Sequence, residues 1–209
     1  MRVAYVCTDP SVPVFGNRSA SVHVQSVLGV LLARGAEVHL LTPRAGGEPP
    51  PHLGALHLHR LPTDQATTPA EREVATQRAD ARVAAQLDAL CRAERLDLVY
   101  ELYSLWGRTA TRWAYDHRVP SVLEVNAPLT DEMAQHRTLV DTARAERVAG
   151  QAFSDAGTVV CVSDAVADWV RARTTNPHRV HTVANDVDSD WNRMVSQVLR
   201  PTENEELGR

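Results

Sequence analysis

Short apolar runs recur along this chain, each followed by a longer stretch with helical spacing. The clearest are residues 3–7 (Val-Ala-Tyr-Val-Cys), 37–42, 96–101, 121–125, 158–163 and 180–184. A strand apolar at consecutive positions has to be covered on both faces, which a parallel sheet achieves with helices on either side. Residues 53–61 differ: Leu56 and Leu58 alternate with His57 and His59, the pattern of a third strand with one wet face.

The intervening stretches carry helix signals. In 22–33, Val24, Val27, Leu28, Leu31 and Leu32 share a face, and Arg34-Gly35 supplies the stop. Residues 69–95 predict a long helix begun near Thr67 or Thr68. Residues 109–117 predict one ending before Val119-Pro120, 130–154 one continuous helical stretch, and 164–173 a short helix capped by Ser163 or Asp164. Strands alternating with helices predict an α/β domain: a Rossmann-like, doubly wound, mainly parallel sheet with helices on both faces. Ligands of such sheets sit outside the carboxyl ends of the strands, where the strand order switches.

Composition excludes several function classes. The 209 residues carry a net charge of −4 and a pI near 6.1, which argues against a nucleic-acid partner. All 22 basic residues are arginine, a bias that lowers the weight of any single Arg as a functional signal. Cys7, Cys91 and Cys161 are far apart and form no C-x-x-C, so neither a disulfide framework nor a zinc site is expected. His57-x-His59 lacks a nearby third ligand and reads as two solvated strand histidines; no metal or other cofactor is expected. The first apolar run is too short for a signal segment, and no run reaches membrane-spanning length. The expected setting is cytoplasmic, with peripheral membrane contact left open.

The stretch from Pro13 to Val24 joins the first strand to the first helix. It contains Gly16, Asn17 and Arg18, then Ser19 and Ser21, either of which can cap the helix. A helix N-terminus beside a glycine and an arginine suits a phosphate or another anion. The stretch has neither G-x-G-x-x-G nor a P-loop signature, and Thr42-Pro43-Arg44 offers no acidic partner for a ribose. A plain strand-to-helix turn would use the same residues.

Taken in order, the Gly16 loop with His23-Val24, the segments 35–42, 97–101 and 120–126, Val160-Cys161-Val162-Ser163, and Asn185-Asp186-Val187-Asp188 resemble the N-terminal, acceptor-side domain of a family 4 glycosyltransferase with the GT-B fold. The resemblance covers about residues 1–188 and implies a hexosyltransferase-like enzyme. Sugar would pass from a nucleotide-sugar donor to a sugar or glycosylated small-molecule acceptor, with retention at the anomeric carbon. The donor would be held by a second, C-terminal domain. The resemblance puts Gly16, Asn17 and Arg18 near the donor phosphates and His23, Glu101, Tyr103, Glu124 and Asn126 near the sugar or acceptor; no catalytic residue is assigned. Asn17 stands where many members have a second glycine, and Asn126 where many have histidine. Asn126 can hydrogen-bond a sugar hydroxyl but cannot carry a proton near neutral pH. Glu124 can instead pair with Arg137, and Tyr103 or Trp106 can stack on an acceptor ring or serve as core.

Two further expectations concern the end of the chain. In 189–200, Trp191, Met194, Val195, Val198 and Leu199 make one apolar helix face, like the GT-B C-terminal helix that crosses back onto the first domain. The donor domain would then be missing, with a junction near Ser189, and the isolated chain would not transfer sugar. Residues 201–209 read as a disordered tail.

Overall fold

A computed structural model describes residues 1–136 and 139–183. The elements run β1 (Arg2–Cys7), α1 (Ser19–Ala33), β2 (Glu37–Thr42), β3 (His57–Arg60), α2 (Pro69–Ala93), β4 (Leu98–Leu102), α3 (Thr109–His117), β5 (Ser121–Val125), α4 (Leu129–Gln135), α5 (Thr142–Asp155), β6 (Thr158–Cys161), α6 (Asp164–Arg171) and β7 (Val180–Thr182). The strands form one seven-stranded sheet in the order β3-β2-β1-β4-β5-β6-β7, every pair parallel. This is the doubly wound α/β sheet that the sequence predicts.

Alternation along the strands divides the core. Val3, Tyr5 and Cys7 of β1 face α1 through Val24, Val27, Leu28 and Leu31. Ala4 and Val6 face α2 and α3 through Val83, Leu87 and Trp113. The same face continues along β5 and β6, where Leu123, Val125 and Val159 meet Phe153 of α5 and Val166 and Val170 of α6.

The caps explain where the helices begin and stop. Thr68 closes a capping box with Glu71 at the start of α2, and Ser163 accepts from the Val166 N–H at the start of α6. Beyond α1, Gly35 has φ +75°; its N–H donates to Leu32 O and that of Ala36 to Leu31 O, the paired bonds of a Schellman stop.

Several predicted boundaries are corrected. The first position before α1 is Arg18, with no side-chain capping bond, while Ser21 is turned inward and buried. The third strand is only His57–Arg60; Leu53 lies in a one-turn 3-10 segment, Pro51–Leu53. The run Pro49-Pro50-Pro51 lacks the N–H donors a ladder needs. The stretch 130–154 is two helices, because Asp141 caps a fresh start by accepting from the Arg144 N–H at 3.0 Å. The seventh strand stops at Thr182. The expected C-terminal helix 189–200, the tail and Arg137 lie outside the described residues.

Candidate functional site

The chain leaves β1 through α1 toward β2 and leaves β4 through α3 toward β5, on opposite sides, so the β1–β4 boundary is the switch point of the sheet. At its carboxyl end the hydroxyls of Thr8 and Ser104 lie 2.8 Å apart, tying the two departing loops together.

The loop after β1 is held from both sides. Val14 N–H donates to Arg44 O (3.1 Å) and Phe15 N–H to Ala45 O (2.7 Å). The Gln25 amide of α1 reaches back to Val14 O at 2.9 Å and Gly16 O at 2.8 Å. A Cβ on Gly16 would lie 2.9 Å from both Pro13 Cγ and Pro13 O, so the turn's own packing requires glycine there. Asn17 and Arg18 are exposed, and Arg18 leaves the first-turn N–H groups of α1 without a side-chain cap. Those donors and the positive end of the helix remain available to an anion.

One helical turn further, His23 turns under α1 onto the sheet. Its Nε2 pairs with Glu124 Oε1; the side chains are 12% and 1% exposed. The other carboxylate oxygen accepts from Tyr100 OH at 2.7 Å, and the Tyr100 ring stacks on Tyr5 with centroids 5.1 Å apart. Burial pulls the His23 pKa down, but the bond to Glu124 and its charge outweigh that, and the net shift is upward from 6.5. A buried histidine–carboxylate pair therefore lies under α1, close to the carboxyl edge. Just beyond β5, Asn126 has its Oδ1 buried with no hydrogen-bond partner among the described residues.

Glu101 goes the other way. Its register partner is Leu123, whereas Glu124 pairs with Leu102, so the two carboxyls leave opposite faces of the sheet. Glu101 is fully buried; Oε2 accepts from the Thr111 N–H at 3.3 Å and Oε1 has no partner among the described residues. Burial, then repulsion from Asp80, push its pKa far above 4.5. Asp80 itself holds the start of α3, accepting from Thr109 N–H and hydroxyl; burial lifts its pKa to about 6. Of the two carboxyls Glu101 is the one raised further, being the more deeply buried. Its surroundings are the interior, not the cleft. Tyr103 is likewise buried, its ring packed on Phe153 and Trp169.

Two adjoining clefts open at the carboxyl edge, of ≈ 360 Å³ and ≈ 370 Å³. They share Pro10, Arg72 and Thr76; the first adds Arg44, and the second adds Trp106. Of the two aromatics that the sequence offered as stacking surfaces, Trp106 lines the second cleft. Arg44, Arg72 and Gln25 are contributors that sequence reasoning missed. The available signals were the place of Arg44 two residues beyond β2 and a lone amide on an apolar helix.

Elsewhere the expected chemistry is quiet. Cys7 and Cys161 are buried free thiols, and burial pushes Cys161 up to about 12. His57 and His59 join His39 and Glu37 at the sheet edge, His39 Nδ1 lying 3.0 Å from His59 Nε2. Among the described residues no group of three or more His, Cys, Asp or Glu is arranged to hold a metal ion, and no helix is long and apolar enough to cross a membrane.

With this geometry in view, the model of Glycosyltransferase Family 4 matches residues 20–191. The chain belongs to this family. Its fold is that of the GT-B enzymes: a sucrose-phosphate synthase from Thermosynechococcus elongatus designated 27_220_406_426 matches with TM-score 0.58 at 13% identity, covering 94% of each chain. WaaG, a glycosyltransferase involved in lipopolysaccharide biosynthesis, matches with TM-score 0.57 at 14% identity over 87% of this chain and 44% of its own. Anabaena HepE, in complex with UDP and glucose, gives 0.53 at 14% over 88% of this chain and 44% of its own. The chain thus spans under half the length of the latter two neighbours. No curated protein matches it by sequence.

Proposed function

We propose that this chain is the acceptor-binding half of a nucleotide-sugar-dependent retaining glycosyltransferase, with transfer taking place in the cleft it forms with a donor-binding domain lying outside these residues. The observation carrying this reading is the carboxyl edge of a family 4 domain, which has on its α1 face an uncapped helix N-terminus and the His23–Glu124 pair, just beyond β5 the Asn126 acceptor, and on its α2 side two open clefts. The coverage of under half of WaaG and HepE supports a second domain.

In this reading the α1 N–H groups and Arg18 face the donor diphosphate, where negative charge grows as the leaving group departs. Asn126 Oδ1 accepts from a sugar hydroxyl, and its amide carries no proton in the transfer. Glu124 keeps the His23 ring oriented beside that hydroxyl. Glu101 and Tyr103 support the wall without touching substrate.

The test is a calorimetric titration of the chain with UDP, GDP and dTDP. Absent or millimolar binding is expected of an acceptor half. Micromolar binding to any of them would mean that the nucleotide site is here and would replace this reading with a stand-alone nucleotide-binding module.

A further inference from the structure

The two clefts at the carboxyl edge differ in chemistry although they touch. Asp64 is the acid lining the first, and Arg82 at 2.7 Å and Arg78 at 3.3 Å neutralise it. Arg44 and Arg72 line the same cleft and bond to the main-chain carbonyls of Pro10 and Thr67. Among the described residues neither has a carboxylate partner. Each guanidinium is thus steadied by a neutral acceptor and keeps further N–H donors and its whole charge. The rim of this cleft is cationic in a chain whose net charge is −4.

The second cleft is walled by Leu105, Trp106, Leu129 and Met133. Its two acids keep their charge but are held by main-chain donors rather than by the arginines: Glu73 accepts from the N–H groups of Val140 and Asp141, and Asp9 from that of Ser11. Arg72 lines both clefts and marks their junction.

We propose that the acceptor is an anionic ester with a ring-sized apolar group: a phosphate or similar compact anion seated by Arg44 and Arg72, and the apolar group against Leu105, Trp106, Leu129 and Met133. The proposal rests on the acceptor-half reading and adds the substrate class. Guanidinium matches phosphate by paired N–H donors, and two together favour a doubly charged oxyanion over a neutral sugar. A cleft of ≈ 370 Å³ takes a ring or a short hydrocarbon, at the small end of ligand pockets, and has no room for paired acyl tails. A small ester is therefore the occupant rather than a lipid surface.

The test uses the 209-residue chain at low ionic strength, where such contacts are least screened, titrated with phenyl phosphate, inorganic phosphate, phenyl β-glucoside and phosphatidylglycerol vesicles. Phenyl phosphate is expected to bind about tenfold tighter than inorganic phosphate. Arg72→Gln should weaken it by about tenfold, and Arg44→Gln should weaken it as well. Met133→Glu should weaken phenyl phosphate and leave inorganic phosphate unchanged. Unfolding midpoints of the variants check that each is folded. Failure of phenyl phosphate to bind, or binding indifferent to both arginine changes, overturns the proposal. Phenyl β-glucoside binding alone also overturns it while leaving the acceptor half standing. Vesicle binding alone overturns the small ester in favour of a surface. Micromolar nucleotide binding removes the acceptor-half reading itself, a result independent of these arms.

Discussion

Glu124 and Glu101 sit near the carboxyl ends of neighbouring strands, both buried, and they live in opposite electrostatic situations. Glu124, on the α1 face, has a histidine on one oxygen and a tyrosine hydroxyl on the other. Glu101, on the α2–α3 face, has one long bond from an N–H, one oxygen without a partner among the described residues, and a second carboxylate as a neighbour. The first arrangement gives a buried carboxylate two hydrogen-bond partners beneath α1. The second expels charge from the interior. Burial alone therefore says little about a carboxyl group; its partners decide whether it is a functional charge or a protonated filler.

The largest effect expected from breaking this contrast is that of Glu124→Ala. Removing one partner of a buried pair strands the other and costs about 3–5 kcal/mol, read as the loss of unfolding free energy in urea at slightly acidic pH. A loss no greater than that of a surface substitution would mean that the pair contributes nothing to holding α1. Tyr100→Phe removes only the hydroxyl donor to Glu124 and should cost about 1.5–3 kcal/mol; a silent substitution would show that His23 alone satisfies the carboxylate.

The pH dependence sharpens the comparison. The folded His23 pKa lies above 6.5, so the stability this pair contributes is fully present below that value and is lost as the pH rises through the folded pKa. His23→Asn should flatten the corresponding part of the stability profile. Glu101 also has a raised folded pKa, above 4.5. Its contribution is complete below 4.5 and shrinks as the pH climbs, because the unfolded chain gives up the proton and the folded chain does not. Glu101→Gln, an isostere of the protonated acid, should be close to neutral near pH 4.5 and become increasingly stabilising relative to the parent toward neutrality. Equal stability of the two proteins across the range would mean that Glu101 ionises freely. This is the smallest of the four effects at acidic pH, and the one most specific to the α2–α3 face.

Much of the fold was legible in the sequence. The continuous apolar runs marked parallel strands, Thr68 and Ser163 announced their helices, and Gly35 announced the stop after α1, because these signals are local. The misreadings came where a local signal had a distant competitor. Ser21 looked like a cap, but its position on α1 turns it into the core. Residues 130–154 have helical composition throughout, and only the Asp141 cap reveals the new start. The site was legible in part. His23, Glu124 and Asn126 were singled out singly, yet neither the pairing of His23 with Glu124, 101 residues apart, nor the departure of Glu101 to the other face can be seen before the register of β4 against β5 is known. The clefts were invisible, since Pro10, Arg44 and Arg72 meet only through the folded loops.

The most direct measurement is an NMR titration of the His23 imidazole in the parent protein and in Glu124→Gln. A charged pair beneath α1 predicts titration above 6.5 in the parent and a fall toward or below that value once the carboxylate is replaced by an amide. A His23 that titrates at or below its ordinary value in the parent, or that ignores the change at Glu124, would contradict the placement of a charged pair on this side of the sheet.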